Sequence, residues 1–332
     1  MEAFCLLRRL LPTCPVMRVE KLSHRNWFAV LALLGACATG PKNASDPSRP
    51  ILEDRAVLDR CEKDLEALQQ QFGVSDAAYS DARQALLTKE PRAAPWIAKW
   101  MVTMAVADAD RWQASGVVPE RAGTLEKNRN YPLYRARREL AELGPTGRRA
   151  IFVYLLRDRR TQLRSLAKYL LEAHDPAALR QDLMHEYDEG NEPSKREVLA
   201  FLAELGPDPA SEALLERCLA HPDWQQRGTA IRALGVLAKD RSDKSAFVAR
   251  AWQLANDDRD AWVRGRALLA LADAGAVDQV RALVDRLEQV MSGDRGSEIS
   301  AAIEALRDLT GRDYGSSVSR WREWLDGSSR GQ

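Results

Sequence analysis

Gln226-Arg227-Gly228-Thr229-Ala230-Ile231-Arg232-Ala233-Leu234-Gly235-Val236-Leu237 sets apolar side chains at 230, 233, 234 and 237, which lie on one face of a helix. Asp240 to Lys244 break that spacing, and a second helix is predicted through Phe247, Val248, Ala251, Trp252 and Leu254. The order then returns. Val263-Arg264-Gly265-Arg266-Ala267-Leu268-Leu269-Ala270-Leu271 meets a break at Asp273-Ala274-Gly275, and Val277, Val280, Leu283, Leu287 and Val290 follow at helical spacing. Neither helix of such a pair can shield its apolar face alone, so the pairs must cover one another.

Working outward, Arg137, Arg164, Arg196, Arg227 and Arg264 each have apolar residues three and six places on. Ser300 takes the arginine's place in a sixth copy that continues with Ile303 and Leu306. The copies are 27, 32, 31, 37 and 36 residues apart. Periods of this length mark a stacked helical array. Leu143-Gly144-Pro145 and Leu205-Gly206-Pro207 predict helix stops, because Gly suits a C-cap and Pro cannot continue the helix. With no period-two strands, the predicted fold class is all-α: an α-solenoid (superhelix) of about six helix pairs at residues 131–326.

This pattern resembles the HEAT repeat family, in particular the repeats called PBS-lyase-type HEAT repeats. The windows Asp223-Trp224-Gln225-Gln226-Arg227 and Asp260-Ala261-Trp262-Val263-Arg264 are the most family-like. The resemblance implies a ladder between neighbouring repeats, built from an acidic residue at the start of a first helix and an arginine one turn later. Glu192/Arg196, Asp223/Arg227 and Asp260/Arg264 keep that spacing; the copies at Arg137, Arg164 and Ser300 lack it. Single pairs read equally well as acids at a helix dipole beside solvated arginines. The resemblance also implies a curved ribbon whose concave side, expected to be lined by the second helices, binds extended or helical protein segments. The closing run Leu309-Thr310-Gly311-Arg312-Asp313-Tyr314-Gly315, with Trp321 and Trp324 beyond it, resembles the end of many envelope HEAT proteins. There Gly311 and Gly315 permit turns, Asp313 and Tyr314 lie between them, and the two tryptophans share a helix face fit to cap the last repeat.

The amino-terminal end reads differently. Arg18, Lys21 and Arg25 precede the apolar run Trp27 to Leu34, about half the roughly 20 residues needed to span a bilayer. Leu34-Gly35-Ala36-Cys37 resembles a bacterial lipoprotein signal, which implies acylation of Cys37. Met17 stands just before the basic segment, an alternative start. Ala38 to Pro50 is rich in Pro, Ser and small residues and reads as a tether (38–50) behind a signal segment (1–37). At about 0.8 kcal/mol per buried methylene, several acyl chains hold a protein firmly. The expected address is the bacterial envelope facing the periplasm, with the outer membrane favoured because Ala38, not Asp, follows the cysteine. Contact with the membrane is expected through the acyl anchor only.

Residues 51–130 are predicted to be helical but outside the repeat. Ile51, Leu58, Leu65 and Phe72 recur every seven residues, with Cys61 and Leu68 between them. Packing within the chain is the plainer use of that seam, so a monomer is favoured over a dimer. Helices are expected over Asp76–Leu87 and Pro95–Trp112, with Trp96, Trp100, Met101 and Met104 in a stripe, then a loop from Val117 to Asn130. Residues 327–332 are expected to form a disordered tail. Cys61 and Cys218 are either bonded or two separately buried thiols.

Beyond Cys37 the chain holds 44 Lys+Arg against 46 Asp+Glu, since residues 1–37 contain five of the 49 basic and two of the 48 acidic residues. A balance near −2 argues against nucleic acid as a partner. His185-Glu186-Tyr187-Asp188-Glu189 lacks the second histidine of a zinc-protease motif. No catalytic, cofactor or metal residues are assigned, and no cofactor is expected. The favoured function is a non-enzymatic scaffold or adaptor for unidentified envelope proteins. Two alternatives are a HEAT-like enzyme with a concave-face site and a cytosolic scaffold with a misread leader.

Overall fold

The computed structural model describes residues 55–72, 76–114, 132–293 and 296–329. Cys37, the leader, the tether, Ile51 and the segment 117–130 lie outside the described residues. The described chain is helical, with no strand among the described residues. Its helices are α1 (Arg55–Phe72), α2 (Asp76–Lys89), α3 (Ala94–Ala114), α4 (Pro132–Glu142), α5 (Gly144–Ile151), α6 (Thr161–Leu171), α7 (Pro176–Glu189) and α8 (Glu192–Glu204). They continue with α9 (Pro209–Cys218), α10 (Trp224–Ala238), α11 (Ser245–Asp257), α12 (Ala261–Asp273), α13 (Val280–Met291), α14 (Gly296–Thr310) and α15 (Val318–Ser329). A π-helical turn, Phe152–Leu156, extends α5. None of these helices is long and apolar enough to cross a membrane.

Local chemistry explains the helix limits. Asn191, Asp223 and Asp260 precede α8, α10 and α12, and their side chains accept from Ser194 N, Gln225 N and Trp262 N at 3.0, 2.9 and 2.9 Å. Asp175 and Asp208 cap α7 and α9 in the same way, each followed by a proline that needs no amide partner. At 143–145 the expected stop is a corner: α4 ends at Glu142, and Gly144-Pro145 open α5 at once. At the other end, α15 runs to Ser329, so residues 327–329, expected in the tail, are helical.

The copies' first helices are α4, α6, α8, α10, α12 and α14. Of these, α8, α10, α12 and α14 lie against one another in chain order, in extensive contact. The alternate helices α9, α11 and α13 make no comparable contact with each other. Small residues make the first row tight. A β-carbon on Gly235 would lie 2.6 Å from Ala270 O, and one on Gly228 would strike the Trp262 ring. The structure also corrects the phase of the repeat. Besides these contacts within the row, each of α8, α10, α12 and α14 packs more on the helix before it (α7, α9, α11 and α13) than on the one that follows. The packing unit is therefore an alternate helix, a turn, then a first helix.

The region before the array supplies one more such partner, since α3 packs on α4. Asp108 Oδ2 accepts from Leu133 N at 3.2 Å, and Arg83 of α2 pairs with Glu139 and Glu142 of α4. The seven-residue seam of α1 is filled from within: Phe72 meets Tyr79 and Trp100 edge-on at 5.5 and 5.2 Å, and Cys61, Leu65 and Leu68 are buried. Trp100 and Met101 of the α3 stripe are buried, while Trp96 and Met104 are half-buried against the same core. Cys61 and Cys218 are two separate buried thiols, the first donating to Val57 O and the second in contact with Tyr187 Oη.

Candidate functional site

The arginines singled out by their spacing form a repeated joint at the turns. Arg227 donates from Nε and Nη2 to both oxygens of Asp258 at 2.8 Å, and from Nη1 to the carbonyls of His221 and Pro222. Arg264 repeats this, reaching Glu298 Oε1 at 2.7 and 3.0 Å and the Asp258 carbonyl at 2.8 Å. Arg164, which lacks the four-residue spacing, does the same with Glu197 at 2.8 Å and the carbonyls of Asp158 and Arg159. Each guanidinium thus ties its own turn and reaches one unit forward. Burial pushes the Asp258 carboxyl up, but Arg227 and the Asp260 amide outweigh it and hold it below the usual carboxylate range.

The acids expected in the ladder have other duties. Asp223 and Asp260 are helix caps, and the acid that meets Arg227 lies two residues before Asp260. Glu192 accepts from Gln226 Nε2 at 2.7 Å, and the Gln226 carbonyl oxygen accepts from Tyr187. No hydrogen bond or ion pair joins Arg196 to these acids among the described residues. The physical reason is geometric. Asp223 and Asp260, at cap positions, bond the free amides of their own first turns, while Glu192 lies one place inside α8 behind the Asn191 cap.

At the carboxyl-terminal end Gly311 and Gly315 have φ of 67° and 54°, and Asp313 Oδ1 accepts from Gly315 N at 3.0 Å. Trp321 is fully buried and donates to Gly315 O at 3.0 Å; Tyr314 and Trp324 meet its ring edge-on at 4.9 and 6.3 Å. α15 lies on α13. These side chains pack against the core at this end.

The first row leaves one face uncovered. Gln225, Thr229, Arg232 and Val236 form the solvent stripe of α10, and Trp262, Arg266 and Asp273 form that of α12. Trp224 is 38% exposed and meets the Trp262 ring edge-on at 4.9 Å; Val236 is 42% exposed. Arg232 forms a bidentate pair with Asp273. Arg266 lies over the Trp262 ring, 4.5 Å from its centre. Burial and then Arg232 pull its guanidinium below its ordinary value. Sequence reasoning passed over this cluster. Its signal was present in two tryptophans opening successive first helices, but their meeting depends on how the helices pack.

Two cavities lie off this face. One, of about 680 Å³, lies among Glu216, His221, Arg227, Arg250, Asp258 and Arg259. The other, of about 300 Å³, includes Arg157, His185, Glu186 and Glu189. Their most buried carboxylates are already engaged, Asp258 by Arg227 and Glu186 by both nitrogens of a forked Arg157 contact at 2.8 Å. Oxygens locked in ion pairs suit a joint better than proton transfer. Exposed His185 pairs with Glu189 at 3.0 Å.

Comparison with protein-family models, with curated proteins and with solved structures finds no match for this chain.

Proposed function

We propose that this chain is a lipid-anchored bacterial envelope protein, an α-solenoid of the HEAT type that binds other proteins and performs no catalysis. The observation that carries the reading is the tight first row, α8, α10, α12 and α14, with its stripe of side chains left facing solvent. A stack of helix pairs bends toward the row in closer contact. The first helices would therefore line the concave side, the reverse of the expectation from sequence order. Concave surfaces of stacked repeats bind extended protein segments. The filled seam of α1 supports a monomer.

The anchor rests on Leu34-Gly35-Ala36-Cys37 and on the basic, then apolar, leader before it. It gives a periplasm-facing location, with the outer membrane favoured, and membrane contact through acyl chains alone. The chain's near-neutral charge supports proteins, not nucleic acid, as partners.

Two experiments test the two halves. Radioactive palmitate should label the wild-type chain in a bacterial host and leave Cys37→Ala unlabelled; equal labelling contradicts the anchor. Envelope extracts passed over the immobilised chain should yield partners lost with Trp224→Ala/Trp262→Ala. Retention of the same proteins by that variant would place binding elsewhere.

A further inference from the structure

Several arginines of the first helices and their neighbours have acidic partners. Arg164, Arg227 and Arg264 have Glu197, Asp258 and Glu298, Arg232 has Asp273, and Arg286 of the alternate helix α13 shares Glu298. Arg266 has no hydrogen-bond acceptor among the described residues, and its Nε is buried without a partner. Of the acids near it, Asp273 is engaged by Arg232, and Glu304 attracts it without a hydrogen bond. Arg266 therefore lies over the Trp262 ring without a bonded carboxylate, and the exposed Trp224 meets the same ring.

A half-buried guanidinium stacked on an aromatic ring is held in place, and it gains most from a carboxylate that arrives in the same plane. Trp224, edge-on to the Trp262 ring, adds apolar contact area that water now covers. We propose that the Trp224–Trp262–Arg266 cluster is the reading head of the concave face, and that its occupant is an acidic protein segment with an aliphatic side chain next to a glutamate or aspartate. Arg266 takes the carboxylate, Arg232 keeps Asp273, and Trp224 covers the aliphatic group. This rests on the docking reading above and narrows it to one partner chemistry.

The test uses the full chain in detergent and three fluorescent peptides of one design. In the first Glu and Leu alternate with Ala, and in the other two every Glu is replaced by Gln or by Lys. Fluorescence anisotropy should show the Glu peptide binding about tenfold tighter than the Gln peptide, with the Lys peptide weakest. Arg266→Gln should erase the difference between Glu and Gln peptides without lowering the melting temperature, and Trp224→Ala should weaken both alike. Failure of the Glu peptide to bind, equal binding of Glu and Gln peptides, or a Glu preference that survives Arg266→Gln overturns the proposal. Such a result leaves the docking reading intact if envelope partners still depend on Trp224 and Trp262; loss of that dependence removes both.

Discussion

The two rows of helices are built from different side chains. The first row carries Gly228, Gly235 and Gly265 at its crossings, so α10, α12 and α14 approach closely. The alternate row has Leu, Val and Phe facing inward, Leu214 and Leu215 on α9, Phe247 on α11, Leu283 and Leu287 on α13, and these helices stand apart. Residue size at a few positions thus decides which row is tight. The tight row in turn brings Trp224, Trp262, Arg232 and Arg266 onto one continuous surface, which a splayed row does not provide.

Several substitutions sharpen or break that contrast. Glu298→Ala should have the largest effect. Glu298 is fully buried and pairs with Arg264 of the first row and Arg286 of the alternate row, so its removal strands two guanidiniums and should cost about 3–5 kcal/mol in urea unfolding. Gly235→Val comes next: its β-carbon meets backbone of α12, for an expected loss of about 2–3 kcal/mol. Ala249→Val, at an exposed position of the alternate row, should stay within about 0.5 kcal/mol. Equal losses at the two sites would refute the division into tight and loose rows.

A third effect depends on pH. Burial, and then Arg148, pull buried His174, in the turn between α6 and α7, from 6.5 to about 4. The unfolded chain takes up this proton more readily than the folded one. Its contribution is therefore complete above pH 6.5 and is lost as pH falls toward 4, a change on the order of 2 kcal/mol. His174→Leu should flatten the stability profile across that window; a variant with the wild-type slope would assign the slope to another group. The caps have smaller effects than these buried groups. Asp260→Ala in the first row and Asp208→Ala in the alternate row should each cost about 1 kcal/mol, because a cap acts on its own helix whatever the row.

Much of the helix content was readable in the chain. The spacing at 230, 233, 234 and 237 names four buried residues of α10, and Trp321 was placed as a cap and is buried. The pairing of helices was not readable from apolar spacing, which says where a face lies but not which neighbour covers it. Connector length did not settle it either: residues 190–191 and 258–260 are short turns before first helices, but 219–223 before α10 is longer than 205–208 after α8. The arginines were found by their period, but their partners were not, since Asp258 and Asp260 look alike in sequence and each accepts a turn amide, yet only Asp258 meets Arg227. Trp224 and Arg266 were out of reach because their meeting point is made by two helices at once.

The central claim is that consecutive helix pairs are joined by arginines reaching forward across the turns. A double-mutant cycle on Arg227→Ala and Asp258→Ala, followed by urea unfolding, tests it most directly. A joint of two hydrogen bonds between buried charges predicts a coupling energy of about 1.5–3 kcal/mol. Losses that add to within about 0.5 kcal/mol would mean that the two side chains act independently, and the joint would be void.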